Sequence, residues 1–541
     1  MLAKRAWPLL LLASALVYFY GLDRAPFVGA DEPRYAQVAR EMFERGDPVT
    51  TTLNERTWFE KPALPYWAAM IGYKLFGVSE WSARLGAACA GWLTILLVGW
   101  TGKRVEEQER TKWLQLSTGA AAATCGGLIV FAHGFSFDIF ITMTVTCALA
   151  FFFAAELEPE ARKRNWLLAG FYAGMGAALL AKGLIGVVIP CGVVGLYCLL
   201  RRSFLRPQMW KSVWWGFLLT AAVASVWYAP VVARHGWTFI DEFFIQHHFA
   251  RYVSNKYRHP QPFWFYFFVV PIMALPWLAF LTAGFAAARR WNWRGDTALS
   301  KLRVFALAWV LFPLIFFSLS GSKLPGYILP ALPGAALLIG ERLAAYLRGE
   351  ERAWVMRATG VLLLLLATGG AMYALQESDL SRSCIVLVTA PVMLAGGYVL
   401  MAAARERLRC ALAVVGVSLL TTMLVANCAL EQVAARESVR GLLRAASAHG
   451  YADAPVLSLH TIERTAQFYA AGRLIYDERT EEPHKFEGAG EIWEAARRGG
   501  SDAVLVLVPL EYIRQLLDFE LLETEVIGDN GAVALVAARA R

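Results

Sequence analysis

The sequence predicts a polytopic α-helical membrane protein that ends in a small soluble α/β domain. Three observations predict it. Of 541 residues, 57% are apolar and only 18% charged, which is unlike an ordinary soluble or disordered chain. Apolar stretches of about 20 residues, the length that crosses a bilayer core of about 30 Å, recur from residue 6 to residue 430. After residue 430, short β-branched runs alternate with helical periods.

About thirteen stretches satisfy the length requirement. They lie near 6–22, 81–101, 112–131, 138–155, 166–181, 183–200, 212–232, 264–287, 303–320, 326–345, 354–374, 383–403 and 409–430. The first follows Lys4 and Arg5 as a signal peptide would, but it ends in "YFYGLDRAP", with aromatics where a cleavage site needs small residues, so it is expected to be retained. Breaks after the even-numbered stretches carry "GKRVEEQERTK", "EARKRN", "RRSFLR", "ARRWNWR" and "ARERLR". Basic loops stay in the cytoplasm, so the odd-numbered breaks and the C-terminal tail face outward. Two outward stretches, 31–45 and 61–76, mix charge with apolar faces and are expected to lie along the interface.

The expected organisation is a membrane domain over 1–430, including the external segment 23–80, and an outer α/β domain over 431–541. The net charge of +9 is accounted for by cytoplasmic loops beside an anionic leaflet, so membrane lipids are partners and nucleic acid is not. Eight cysteines, at 89, 125, 147, 191, 198, 384, 410 and 428, all fall in apolar stretches. No CxxC pattern occurs, and they are expected to be packing residues without a disulfide framework. His460 and His484, in the tail, stand alone.

Ionisable side chains at membrane depth are costly unless paired or facing a cavity, so their recurrence on one side of the membrane marks a shared wet site. The outward breaks supply "GADEPRYA" with Asp31, Glu32, Arg34 and Tyr35, "WFEKPALPYW" with Glu60 and Lys61, "HGFSFD" with His133 and Asp138, and "LLAKG" with Lys182. They continue with "QHHFARY", carrying His247, His248 and Arg251, and "SGSKLPGYILPALP", carrying Lys323 and Tyr327. Each has an ordinary alternative. Asp31 fits an N-cap before Pro33, Lys182 fits a snorkelling interfacial anchor, the histidines fit an aromatic belt, and "SKLPGY" fits a turn.

In this order, these motifs resemble the membrane-embedded GT-C glycosyltransferases that use polyprenyl-phosphate sugars. More narrowly, they resemble the bacterial lipid A 4-amino-4-deoxy-L-arabinose transferases. The likeness covers most of the membrane region, while the tail matches in position and size only. It implies an undecaprenyl phosphate-linked aminoarabinose donor, a lipid A acceptor, a site facing the periplasm from the bacterial inner membrane, and resistance to polymyxin. Relatives of this shape move other sugars, such as mannose onto protein or galacturonic acid onto lipopolysaccharide, and a lipid-linked sugar flippase is the alternative from another class.

The residue types suit that chemistry. A departing polyprenyl phosphate gathers negative charge, which Lys61, Arg251 and Tyr327 are placed to meet, with Lys182 and Lys323 as further cations for a donor or acceptor phosphate. An acceptor phosphate is already ionised and needs no strong base. That leaves Asp31 and Asp138 to orient the nucleophile or to bind the sugar's amine, with Glu32 and Tyr35 beside them. Glu60 has two readings: it braces Lys61, or it joins His247 and His248 around zinc or manganese. No cofactor is required by the first reading.

Overall fold

A computed structural model of the chain describes residues 2–204, 206–243, 246, 260–377, 380–477, 483–498 and 503–541, with side chains from residue 6 onward. The chain is a multi-pass membrane protein. Among the described residues, eight helices are long and apolar enough to cross a bilayer, or ten if each of two bent pairs is one span. The remaining expected stretches are helical too, but differ for physical reasons. Ala6–Phe19 and Ile185–Arg201 are apolar but short, and Ala161–Lys182 opens on "ARKRN", whose charges belong at an interface. The pair Leu114–Thr124 and Gly126–Ala132 bends by 58° where Cys125 turns extended. The pair Phe265–Met273 and Leu278–Arg290 bends by 118° across Pro276, which has no N–H to continue a helix.

The chain divides into two compact units. The first holds residues up to Tyr20, Phe59–Ala68 and Arg84–Val425. Its core brings together Phe152, Phe153, Phe305 and Trp309 from Phe137–Leu157 and Ala298–Ser318. Phe137–Leu157 and Ala161–Lys182 pack backbone to backbone, since a Cβ on Gly174 would lie 2.8 Å from the Ala148 nitrogen. Charges inside this unit are paired: Arg303 with Glu341 at 2.7 Å, Lys301 with Glu156 at 3.2 Å, and Arg104 with Glu158 at 3.1 Å.

The second unit holds Gly21–Trp58, Ala69–Ala83 and Ala426–Arg541. The tail forms a five-stranded sheet in which β3 (Val456–Leu459) lies parallel to β4 (Lys485–Phe486) and β5 (Val504–Pro509). β7 (Val533–Ala540) joins β5 and β6 (Leu522–Asp529) antiparallel, giving the order β4-β3-β5-β7-β6. Alternation along the strands feeds two apolar layers. Leu457, Val504, Val506 and Val536 face Ile492 and Leu516, while Val456, Leu505, Leu507 and Leu535 face Leu442, Leu443 and Ala466.

Residues 21–58 and 69–83 complete this unit. The helix Asp31–Arg45 buries Tyr35, Ala36, Val38, Ala39 and Met42. Its Ala36 carbonyl accepts a bond of 3.0 Å from the Tyr73 hydroxyl. A hairpin of β1 (Thr52–Leu53) and β2 (Arg56–Thr57) follows. The Glu41 carboxylate ties it down, accepting from the Thr52 hydroxyl at 2.6 Å and the Asn54 amide at 2.7 Å. Six cysteines are free, but Cys384 and Cys428 are disulfide-bonded. This corrects the expectation of packing residues only: Cys384 lies in the first turn of Arg382–Ala402 and Cys428 ends Arg407–Cys428, and spacing along the sequence carries no sign of a bond.

Candidate functional site

Asp138 stands in the first turn of Phe137–Leu157, where Ser136 caps the helix by accepting from the Asp138 amide at 3.1 Å. Lys182 is the last residue of Ala161–Lys182, and Gly183 ends that helix at φ +76°, a conformation that favours glycine. A carboxylate at a helix start and an ammonium at a helix end each suit the helix dipole. Because the two helices run antiparallel, Lys182 and Asp138 meet in an ion pair, their side chains 19% and 17% exposed.

The "SKLPGY" segment closes over this pair. Pro325–Ala331 is a 3₁₀ turn that precedes the helix Leu332–Arg348. Gly326 sits so near Asp138 that any Cβ there would collide with its carboxylate. The next residue, Tyr327, lays its ring 4.7 Å from the Lys182 ammonium, a cation–π contact. The Tyr266 hydroxyl fixes the turn from outside by donating to the Leu324 carbonyl at 3.0 Å. Lys323 is buried and donates to the carbonyls of Ser320 at 2.6 Å and Gln261 at 3.0 Å, so two of its three donors hold backbone.

Glu60 and Lys61 form an ion pair of 2.9 Å, with 12% and 11% of their side chains exposed. Their neighbours anchor them in the same unit. Phe59 packs on His235 at 4.9 Å and Phe239 at 5.3 Å, and Tyr66 packs edge-on against Phe137 at 5.2 Å, beside Asp138. The helix Val213–Phe239 that receives Phe59 also lines an apolar groove of about 670 Å³ with Ala221, Ala224, Tyr228 and Val232. Leu179 and Leu184, on either side of Lys182 in sequence, form its other wall.

Asp31, Glu32 and Tyr35 belong to the second unit. The helix begins at Asp31 itself, after Ala30 and without a side-chain cap, so Asp31 is not the N-cap its sequence context suggested. Its carboxylate is 61% exposed, with the Arg34 guanidinium at 4.0 Å. Glu32 reaches the Val28 amide at 3.5 Å, and Tyr35 is buried. Arg34 lies 5.1 Å over the Trp58 ring. His247, His248 and Arg251 lie outside the described residues. Among the described residues no group of three or more His, Cys, Asp or Glu could hold a metal. His133 places its ring nitrogens 2.8 and 3.1 Å from the carbonyls of Ile129 and Val17, a structural role.

Of the candidates that the sequence put forward for one shared site, the fold brings Asp138, Lys182 and Tyr327 into contact and pairs Glu60 with Lys61. The sequence reading passed over Gly326 and Phe59, although each sits inside a motif already singled out, and it had no signal for Tyr266.

Chemically, the first unit offers cations held by carboxylates and an apolar groove lined by Leu179 and Leu184, the sequence neighbours of Lys182, features that suit an amphiphile with an anionic head. Residues 11–240 match the family model of dolichyl-phosphate-mannose-protein mannosyltransferases. The chain is 32% identical over 384 residues to the undecaprenyl phosphate-α-4-amino-4-deoxy-L-arabinose arabinosyl transferase of Aeromonas salmonicida, an alignment covering 70% of this chain and 67% of that protein. It is 32% identical to the enzyme of the same name from Pseudomonas aeruginosa strain UCBPP-PA14, covering 67% and 64%. The chain thus spans about two thirds or less of the length of these relatives. Crystal structures of ArnT from Cupriavidus metallidurans share its fold at 24% identity: the apo state with a TM-score of 0.80 over 99% of this chain and 98% of that one, and the form bound to undecaprenyl phosphate with 0.77 over 98% of both.

Proposed function

Since the chain belongs to the undecaprenyl phosphate-α-4-amino-4-deoxy-L-arabinose arabinosyl transferases, we propose that it is an inverting glycosyltransferase moving 4-amino-4-deoxy-L-arabinose from undecaprenyl phosphate to a phosphate of lipid A. The observation that carries the reading is the cluster of Asp138, Lys182 and Tyr327, which holds a cation and a phenol beside an apolar groove lined by Leu179 and Leu184. The groove takes part of the prenyl chain, and the cations take its phosphate.

An acceptor phosphate oxygen attacks the anomeric carbon from the face opposite the donor phosphate. The new carbon–oxygen bond forms as the bond to undecaprenyl phosphate breaks, and the electron pair leaves with that phosphate. Lys61, Arg251 and Tyr327 meet its growing charge, and Lys182 and Lys323 serve the donor or acceptor phosphate. The acceptor needs no deprotonation, because a phosphate monoester is already ionised near neutral pH, its second pKa being about 6. Asp31 and Asp138 therefore orient the nucleophile and bind the sugar's amine, with Glu32 and Tyr35 supporting Asp31. Glu60 holds Lys61 in place, and no metal is required.

The site and the tail face the periplasm from the bacterial inner membrane. Basic residues gather at the opposite breaks, and the bonded Cys384 and Cys428 sit at outward ends, where an oxidising compartment keeps such bonds. The test is mass spectrometry of lipid A after incubation with purified protein and undecaprenyl phosphate-aminoarabinose. The expected product is heavier by one sugar on phosphate. Donor translocation without a mass change makes the protein a flippase and refutes the reading, and transfer of only another sugar refutes the donor. In cells, loss of the protein lowers the polymyxin concentration that stops growth.

A further inference from the structure

Beneath the segment that leads into Asp31 lies a buried polar knot that no motif announces. Glu80 and Arg440 pair at 3.2 Å, their side chains 12% and 10% exposed. The Tyr469 hydroxyl donates to the same Glu80 oxygen at 3.0 Å and accepts from the Phe27 amide at 2.8 Å. Arg440 also donates to the carbonyls of Asp23 at 3.3 Å and Arg24 at 3.4 Å. Phe27 is fully buried, with its ring edge-on to Phe468 at 4.8 Å. All of these residues belong to the second unit.

Two residues of the tail, braced together by Glu80, thus converge on residues 23–27. The arrangement is more than packing requires. A buried ion pair gains little over an apolar contact of the same shape, whereas here Arg440 and Tyr469, both bonded to Glu80, also hold backbone groups of one loop, Arg440 reaching Glu431 at 3.5 Å as well. The loop is short: Phe27 precedes Asp31 by four residues, with Gly29 between them at φ +68°. The helix that follows is held again at Ala36 by Tyr73. The start of that helix is therefore fixed from both sides, while Asp31 itself stays exposed.

We propose that Arg440, Glu80 and Tyr469 are positioning residues for transfer, and that the C-terminal domain serves the reaction by clamping residues 23–27 and so fixing where the Asp31 carboxylate stands. This rests on the assignment of Asp31 to the reaction. The three residues touch neither sugar nor phosphate; they act through the loop. Tyr469 stays a neutral donor because burial, reinforced by Glu80, pushes its hydroxyl far above the ordinary range.

The test compares Tyr469→Phe, Arg440→Lys and Arg440→Met in the full-length protein. Tyr469→Phe keeps the ring and removes the hydroxyl that holds the Phe27 amide. A displacement of a reacting group by about 1 Å costs about 100-fold in rate, so Tyr469→Phe and Arg440→Met are expected to lower kcat by about 10- to 100-fold. The donor KM should stay within about twofold, because an Asp31 that is displaced but present leaves donor binding to other groups. Arg440→Lys, which keeps the charge on Glu80, should recover part of kcat. Melting temperature and elution volume in detergent report folding. The proposal is overturned if Tyr469→Phe and Arg440→Met, both folded, turn over at the wild-type rate. It is also overturned if KM rises while kcat holds. Asp31→Asn separates the two levels: if it transfers normally, the role of Asp31 fails first, whereas an inactive Asp31→Asn beside a fully active Tyr469→Phe defeats the clamp alone.

Discussion

Replacing Lys182 by Met separates the energy of the Asp138 pair from its use. The side chains are 19% and 17% exposed, between a surface pair and a fully buried one. Removing one partner of a buried pair costs about 3–5 kcal/mol, and partial exposure screens this to about 1–3 kcal/mol. Loss of the ammonium over the Tyr327 ring, 4.7 Å away, adds about 0.5–1 kcal/mol. Lys182→Met should therefore destabilise the protein by about 1.5–4 kcal/mol. If the same ammonium meets phosphate charge during transfer, kcat should fall by about 100- to 1,000-fold. Thermal unfolding in detergent reads the first quantity, and mass spectrometry of modified lipid A over time reads the second. The double variant Asp138→Asn, Lys182→Met removes the orphaned carboxylate charge and should regain most of the stability, while turnover stays low. A double variant that regains wild-type turnover, or a single variant within about threefold of wild type, would show that the pair holds two helix ends together and nothing more.

Three further outcomes are expected. Burial, with Glu437 adding to it, pushes the Glu463 carboxyl above its ordinary range, so the folded state loses stability as pH rises from the ordinary carboxylate pKa through the raised one. Glu463→Gln should then melt higher than wild type at pH 7, with the gap closing below about pH 4; a gap independent of pH refutes the assignment. Dialysis against EDTA should leave transfer intact, whereas loss restored by zinc or manganese would make Glu60 a ligand instead of a brace for Lys61. Denatured, unreduced protein should take maleimide on six cysteines, and on all eight only after reduction. Labelling of eight without reductant would remove the bond at Cys384 and Cys428 and the support it lends to the outward orientation.

Much of the membrane region was legible because its determinants are local. A run of apolar residues fixes a helix whatever surrounds it, and ionisable groups recurring at successive breaks between such runs drew attention to Asp138, Lys182 and Tyr327. Span limits were less legible at residues 125 and 276, where a change in one backbone conformation or one proline bends a stretch that hydropathy reads as continuous. What stayed hidden depends on long-range pairing. Glu80, Arg440 and Tyr469 belong to no motif that the sequence singled out. Only the fold brings 360 residues of separation between Glu80 and Arg440 down to one hydrogen bond. That Cys384 and Cys428 are disulfide-bonded was not legible either.

The interleaving of Gly21–Trp58 and Ala69–Ala83 with Ala426–Arg541 has a consequence for biogenesis. The early loop leaves the ribosome while the strands that complete its unit are still untranslated, behind the stretch Arg84–Val425. Until residues 426–541 are made, Phe27, Tyr35 and Met42 have no finished core to enter. Synthesis of that stretch, about the length of a small domain, is thus the step at which the early loop joins its folded body, and a nonsense codon within it would strand a loop made long before.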